Sequence, residues 1–140
     1  MSAPDRIHHI GVAVADLDAS IRLYENALGA ELVHRAASET EGLEAALLRV
    51  GDGEIELMHA LREDSPVGKF VAKRGPGLHH VAYQVDDIDA ALAELRERGV
   101  PLIDEQPRIG IRRSRVAFLH PRGTGGVLTE IVQPAGDDLH

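Results

Sequence analysis

The sequence predicts an α+β fold of two tandem β-α-β-β-β modules that form a curved, half-open barrel of mixed β-sheet with helices on the outside. The main observation is a repeat: residues 7–19 return 71 positions later as residues 78–90, and six of these 13 positions are identical. In both copies, apolar residues alternate with small or polar ones before the spacing becomes helical. The same series of strands follows each helix. A unit repeated in this way indicates a site built from two equivalent halves.

The first module is predicted over about residues 6–59. Its first strand covers residues 7–14, and Asp16 or Asp18 caps the helix that follows. This helix ends at Gly29, because glycine suits the left-handed end of a helix. The remaining elements are strands over 31–34, 43–50 and 54–59, with a hairpin turn at 51–53.

A connector of about residues 60–76 precedes the second module, which covers about 77–133. Within the connector, a short helix begins at Ser65-Pro66 and stops before the glycines of residues 75–77. A tail over 134–140 is expected to be loose. The second module repeats the order of the first, with a strand over 78–85, a helix over 88–98, and strands over 101–103, 115–119 and 127–132.

The composition is that of one globular domain over residues 1–140. The chain has no cysteine, which excludes disulfides and thiolate chemistry, and no apolar run long enough to cross a membrane. The N-terminus lacks an export signal, so a cytoplasmic location is expected. The net charge of −8 argues against nucleic acid as a partner, because phosphate backbones bind to basic surfaces.

One basic stretch departs from this acidic balance. It places five arginines within 15 residues: Arg108, Arg112, Arg113, Arg115 and Arg122. Two interpretations are open, a solvated loop with exposed side chains or a site for a small anionic ligand.

Strand alternation separates the two histidines of each copy, because neighbouring side chains point to opposite faces. His8 shares its face with branched residues that suit packing under a helix. His9 shares its face with Gly11 and Ala13, which leave space above the sheet. The same rule places His80 on the small-residue face of the second copy. His9 and His80 are therefore predicted to face a ligand.

Two glutamates occupy equivalent positions near the end of each module. Glu56 and Glu130 lie 74 positions apart, each within an apolar strand. An ionised glutamate is costly to bury without a partner, and one divalent cation is a sufficient partner for both. Two imidazoles and two carboxylates form a ligand set suited to Co²⁺, Zn²⁺, Mn²⁺, Ni²⁺ or Fe²⁺. The predicted metal site is therefore His9, Glu56, His80 and Glu130.

The duplicated module, with one histidine and one glutamate from each half, resembles the vicinal oxygen chelate superfamily, a glyoxalase/dioxygenase-like group. Within that superfamily, the chain looks like the methylmalonyl-CoA epimerases over about residues 6–133. The stretches that carry the resemblance are EDSPVGKF (63–70), GLHHVA (77–82), VDDI (85–88), FLHP (118–121) and GGVLTE (125–130).

The resemblance implies that the same four residues bind one divalent metal ion, with Co²⁺ favoured. It also implies an acyl-CoA substrate and a reaction, the interconversion of the C2 epimers of methylmalonyl-CoA by proton removal and return. Proton removal creates an enolate, and a divalent cation stabilises its developing charge. The arginine-rich stretch then gains a role with the phosphates of coenzyme A. A homodimer is expected, as is common in the family.

Two features depart from the family pattern. Some members carry a glutamate, a proposed base, three residues after the glycine that precedes the third strand; here that glycine is Gly42 and the position is Ala45. Glu44 stands beside it, and alternation allows it to face inward. The candidate bases are therefore Glu130 and Glu44, with a surface role as the other interpretation of Glu44. The second departure is Ile111-Arg112-Arg113, where the family usually has glycines, which affects the acyl side chain or the phosphate contacts.

Three other functions use the same scaffold. A glyoxalase I-type lyase uses a similar ligand set on a glutathione hemithioacetal, but residues 118–121 and Ser65-Pro66 favour the epimerase. An extradiol dioxygenase needs an open Fe²⁺ position, which Glu56 would fill. A non-catalytic small-molecule-binding module of this fold often lacks the metal ligands, and all four are present in this sequence.

Overall fold

The protein, described over residues 3–136 in a computed structural model, consists of a mixed β-sheet and three α-helices. The strands are β1 (Arg6–Ala13), β2 (Glu31–Ser38), β3 (Leu43–Val50), β4 (Gly53–Ala60), β5 (Gly77–Gln84), β6 (Arg108–Ile109), β7 (Arg115–Leu119) and β8 (Thr129–Gln133). The helices are α1 (Leu17–Leu28), α2 (Pro66–Arg74) and α3 (Ile88–Glu97). The eight strands follow the order β2-β3-β4-β1-β5-β8-β7-β6. The predicted α+β class and the repeated β-α-β-β-β order are confirmed.

The repeat in the sequence is also a repeat in strand pairing. In the first half, β1 pairs with β4 in parallel, and β4-β3 and β3-β2 are antiparallel. In the second half, β5 pairs with β8 in parallel, and β8-β7 and β7-β6 are antiparallel. Each half therefore places its first and last strands side by side, which brings the histidine strand next to the glutamate strand.

The chain forms two compact units. One is His9–His79, and the other combines His80–His140 with Met1–His8, so far as those segments are described. In the second unit, the Asp5 N–H donates to the carbonyl oxygen of Gln84 at 2.8 Å, which ties the start of the chain to the end of β5. The module boundaries predicted from the sequence stay a prediction.

In the unit His9–His79, helix α1 covers one face of the sheet. Asp16, and not Asp18, is its N-cap, because the Asp16 carboxylate accepts the Ala19 N–H at 3.0 Å. Gly29 ends the helix in the left-handed conformation with φ of 65°, as predicted. The core beneath α1 consists of Val14, Leu17, Ile21, Ala30, Ala46, Leu48 and Leu57.

In the other unit, helix α3 packs in the equivalent way. Asp87 caps it by accepting the Ala90 N–H at 3.1 Å, as Asp16 does for α1. The core beneath α3 consists of Ile88, Leu92, Ala117, Leu119 and Ile131. Helices α1 and α3 therefore cover the sheet faces that carry these cores. The predicted ligands His9, Glu56, His80 and Glu130 lie on the other face of their strands.

One predicted strand is wrong. Residues 101–103 form only an isolated bridge, between Leu102 and Leu119, and the edge strand is instead Arg108–Ile109. Pro101 has no N–H to give to a strand ladder. The N–H groups of Ile103 and Asp104 both donate to the carbonyl oxygen of Phe118, so the chain turns there and cannot continue as a strand.

Two expectations concern the ends of the chain and membranes. The loose tail predicted over 134–140 lies outside the described residues from 137 onward, and residues 134–136 have no strand or helix. Among the helices of residues 3–136, none has the length and apolar character needed to span a bilayer.

We expect Gly68→Ala to destabilise the protein. Gly68 lies in the first turn of α2, and a Cβ there would lie 2.5 Å from the Arg62 carbonyl oxygen and 2.7 Å from that of Glu63. The helix must then move away from the backbone it touches, which costs about 1–3 kcal/mol for an overpacked position. Urea unfolding measures the change. Lys69→Ala, at an exposed neighbour on the same helix, is the control and should stay within about 0.5 kcal/mol; equal stabilities would contradict the close approach.

Candidate metal centre

The first histidine–glutamate pair lies within the unit His9–His79. His9 is on β1, and Glu56 is on the parallel neighbour β4, in register with Gly11. The histidine thus stands two residues before the position opposite the glutamate, so both side chains share a face. The distance from His9 Nε2 to Glu56 Oε1 is 3.7 Å, and the side chains are 7% and 12% exposed.

The second pair repeats this geometry within the other unit. His80 is on β5, and Glu130 is on β8, in register with Ala82. His80 Nε2 also lies 3.7 Å from Glu130 Oε1, with side-chain exposures of 2% and 9%. Duplication has therefore preserved the spacing of the pair as well as the residue types.

The pairs fit a metal ion in distance and chemistry. A separation of 3.7 Å is longer than a hydrogen bond. Two ligand atoms about 2.1 Å from the same ion lie at most about 4.2 Å apart, so the separation suits atoms that share a cation. Glu130, the fourth predicted residue, contacts His80.

The surroundings of the second pair are apolar. Ala82, Val116 and Val132 form a buried cluster, and strand alternation puts them on the face that carries His80 and Glu130. Charges interact more strongly where such residues exclude water. A buried carboxylate at this position is therefore stabilised mainly by a nearby positive charge.

Glu44 lies on the other face of its strand. Register pairs it with His59, whereas Leu47 is the residue opposite Glu56. Its neighbours on that face, Ala46 and Leu48, pack in the core under α1. Alternation grouped Glu44 with these residues correctly, but their face is the one that the helix covers, so the expectation that Glu44 faces inward is not met.

Glu44 belongs to an ion-pair network with Arg35 and Asp18. Its Oε2 accepts from Arg35 Nε at 3.0 Å, and Arg35 Nη1 also donates to Asp18 Oδ1 on α1 at 2.6 Å. This hydrogen bond, reinforced by the guanidinium charge, lowers the pKa of Asp18. The geometry gives Glu44 a place in a surface network between the sheet and α1. Ala45, where the resemblance leads us to expect a glutamate in some members, lies on the same face as Leu47 and Glu56.

Sequence reasoning missed one carboxylate near the first pair. Glu54 is 5% exposed and in direct register with His9 on β4. It lies two residues before Glu56, so both carboxylates are on the same face. The sequence did contain a signal for this: in Glu54-Ile55-Glu56 the two glutamates are two residues apart, which places both on one face of a strand.

The arginine-rich loop has an unusual backbone. Arg112 has φ of 60° and Arg113 has φ of 58°, both in the left-handed region that favours glycine. Hydrogen bonds hold the turn: the Gly110 N–H donates to the Ser114 carbonyl oxygen, and Ser114 Oγ donates to that of Ile111, both at 2.8 Å. Strain kept in place by such bonds is typical of functional loops.

Comparison with known proteins identifies relatives over most of the chain. The family described as the Glyoxalase/Bleomycin resistance protein/Dioxygenase superfamily matches residues 8–118. An ethylmalonyl-CoA/methylmalonyl-CoA epimerase of Cereibacter sphaeroides is 37% identical, over 91% of this chain and 97% of that protein. The crystal structure of methylmalonyl-CoA epimerase from Mycobacterium tuberculosis is 44% identical with a TM-score of 0.91, covering 96% of this chain and 93% of that one. A Streptomyces coelicolor methylmalonyl-CoA epimerase in complex with 2-nitronate-propionyl-CoA is 41% identical with a TM-score of 0.93, covering 96% and 100%.

Proposed function

Because the chain belongs to the glyoxalase/bleomycin resistance protein/dioxygenase superfamily and, within it, to the methylmalonyl-CoA epimerases, we propose that it interconverts the C2 epimers of methylmalonyl-CoA. The observation that carries the proposal is that a chain of this family has two histidine–glutamate contacts of low exposure, each at 3.7 Å. A relative bound to 2-nitronate-propionyl-CoA supports a coenzyme A thioester as the substrate class.

The four residues His9, Glu56, His80 and Glu130 are assigned to one divalent cation. Their two imidazole nitrogens and two carboxylates suit Co²⁺, the ion that we favour, and also Zn²⁺, Mn²⁺ and Ni²⁺. When bound, such a cation supplies electrostatic stabilisation of the negative charge that develops on the substrate oxygens. The apolar residues beside His80 strengthen this stabilisation because they exclude water.

Proton transfer is assigned to Glu130. The C2 proton lies between a thioester and a carboxylate, so the electron pair of the broken C–H bond is delocalised as an enolate. The Glu130 carboxylate accepts the proton, and a water molecule delivers a proton to the other face of the same carbon, which gives the opposite epimer. The protonated Glu130 then returns its proton to the hydroxide through solvent, so that no net proton is consumed. Glu130 thus serves as ligand and base through its two oxygens.

The arginines of the loop are assigned to the coenzyme A phosphates. The chain has a net charge of −8, so an anionic substrate is repelled by the molecule as a whole and needs a local positive site. Arg112 and Arg113 supply two such charges on a turn whose backbone is already fixed.

Other assignments have less support. The lyase acting on a glutathione hemithioacetal and the non-catalytic binding module are not favoured, since named epimerases are 37% and 44% identical to this chain over 91% and 96% of its length. The homodimer and the cytoplasmic location stay predictions from the sequence.

We expect metal-loaded protein to exchange the C2 proton of methylmalonyl-CoA for deuterium in D₂O, because enolate formation exposes that carbon to solvent protons. Protein treated with a chelator should lose exchange and regain it with Co²⁺. Mass spectrometry of the thioester gives the rate. Oxygen uptake with catechols and turnover of a hemithioacetal are the controls, and both should be absent. Lack of exchange with all four of Co²⁺, Zn²⁺, Mn²⁺ and Ni²⁺ would exclude the epimerase.

Replacement of Glu130 and of Glu44 by glutamine should have different effects. At saturating Co²⁺, Glu130→Gln should lower kcat by about 10²-fold or more, the usual contribution of a general base. Glu44→Gln should stay within about twofold, since a surface ion pair to Arg35 contributes little. Cobalt absorption confirms occupancy in each variant. A strong loss in Glu44→Gln with full activity in Glu130→Gln would reverse the assignment of the base.

Arg112→Ala and Arg113→Ala should each raise KM for methylmalonyl-CoA and leave kcat nearly unchanged, because the phosphates are remote from the reacting carbon. The loss of one exposed charge contact predicts a rise of about threefold or more. Arg112→Lys, which keeps the charge with the same backbone requirement, is the control. An unchanged KM in both alanine variants would remove the arginines from substrate binding.

A further inference from the structure

We infer that Asp104, Arg108 and Phe118 form a brace that fixes the plane of the His80 imidazole, which makes Phe118 a positioning residue for the metal site. All three residues and His80 belong to one compact unit. The inference rests on the proposed role of His80 as a metal ligand. It gives these residues a role that neither the sequence patterns nor the ligand set assigns to them.

The contact between Phe118 and His80 is the centre of the brace. Their ring centroids are 5.4 Å apart, and the ring planes meet at 87°, which is the favourable edge-to-face arrangement. Phe118 is also in register with Glu130 on β8, so it lies beside both members of the second pair. A ring in this position limits rotation of the imidazole about its Cβ–Cγ bond, because a rotated ring would lose the contact or overlap with it.

Arg108 and Asp104 hold Phe118 in turn. The Arg108 guanidinium carbon lies 5.7 Å from the Phe118 ring centroid, within the range of a cation–π contact. Asp104 Oδ1 pairs with Arg108 Nε at 3.3 Å, and its Oδ2 accepts the backbone N–H of Phe118 at 2.8 Å. One carboxylate therefore fixes both the cation and the strand that carries the ring.

The first half of the molecule has no equivalent ring. Leu47 is in register with Glu56, as Phe118 is with Glu130, and it is buried. The duplication thus supplies a matched position at which an aliphatic side chain replaces the aromatic one. A comparison of the two positions separates the effect of the ring from that of buried apolar volume.

A fixed ligand plane affects metal binding directly. A histidine whose nitrogen already points along the bond direction loses little freedom when the ion binds, so the affinity is higher. Removal of a partner that orients a ligand typically weakens metal binding by about 10- to 100-fold. The brace therefore predicts a change in metal affinity that exceeds any change in the stability of the metal-free protein.

The test is a Co²⁺ titration of the full-length protein, followed by cobalt absorption in competition with a chelator. Phe118→Leu should weaken Co²⁺ binding by about tenfold and alter the absorption bands that report ligand geometry. Phe118→Tyr keeps the ring and should restore affinity to within about twofold of the unaltered protein. Arg108→Met, at a half-exposed residue that does not endanger folding, should weaken binding by about threefold through loss of the cation.

Leu47→Ala is the matched control. It should lower Tm, because it truncates a buried side chain, but leave Co²⁺ affinity within about twofold. An equal loss of affinity in Leu47→Ala and Phe118→Leu would overturn the inference, since apolar volume and not the ring would then be responsible. Unchanged affinity in Phe118→Leu would also overturn it, whatever the result for Arg108→Met.

His80→Ala distinguishes failure of the brace from failure of the metal site. If His80→Ala binds Co²⁺ as tightly as the unaltered protein, the proposed metal site is wrong, and the inferred role of the brace is wrong as well. If His80→Ala loses Co²⁺ and Phe118→Leu does not, only the brace is wrong. Should Phe118→Leu fail to fold by circular dichroism, Arg108→Met and Phe118→Tyr decide the outcome.

Discussion

The low solvent exposure of the Glu56 and Glu130 carboxylates is the constraint on which the rest of the structure depends. A carboxylate that is about one-tenth exposed is costly in free energy unless a positive charge or a set of donors lies close to it. Each glutamate lies 3.7 Å from one imidazole nitrogen, too far for a hydrogen bond. On the proposed function, a divalent cation held between the two atoms of each pair supplies that positive charge. The parallel pairing of the first and last strand in each half is what produces this spacing twice.

Much of this arrangement follows from two properties of the sequence. Because side chains alternate along a strand, His9 lies on the sheet face that α1 does not cover. The repeat places His80 on the equivalent face of the second half. The repeat also identifies Glu130 as the equivalent of Glu56, although neither forms a short motif with its histidine. Helix ends were predictable for a related reason, since an aspartate cap and a glycine terminus depend on contacts within a few residues. Interactions that are local or repeated are therefore those that the sequence reveals.

The remaining features depend on contacts that alternation does not specify. Alternation correctly groups Glu44 with Ala46 and Leu48, but only the packing of α1 shows that their face is the covered one. The chain around Pro101 reads as a strand by composition, yet the carbonyl oxygen of Phe118 accepts two N–H groups there and turns it. Phe118 lies in the FLHP stretch that resembles the family, but nothing in the sequence relates it to His80. Its contact with His80 joins residues 38 positions apart in sequence, a relation that no local pattern contains.

The two halves share the histidine and glutamate proposed as ligands but differ in the residues around them, and this difference bears on specificity. A substrate with a thioester on one side of the reacting carbon and a carboxylate on the other is not symmetric. Ligands that are identical in both halves cannot distinguish these groups, so the distinction must come from positions at which the copies have diverged. On the proposed function, the residues that select the acyl group are those that differ between equivalent positions on the ligand-bearing faces. Such pairs include Leu47 and Phe118, Ala45 and Val116, Ala13 and Gln84, and Glu54 and Leu128.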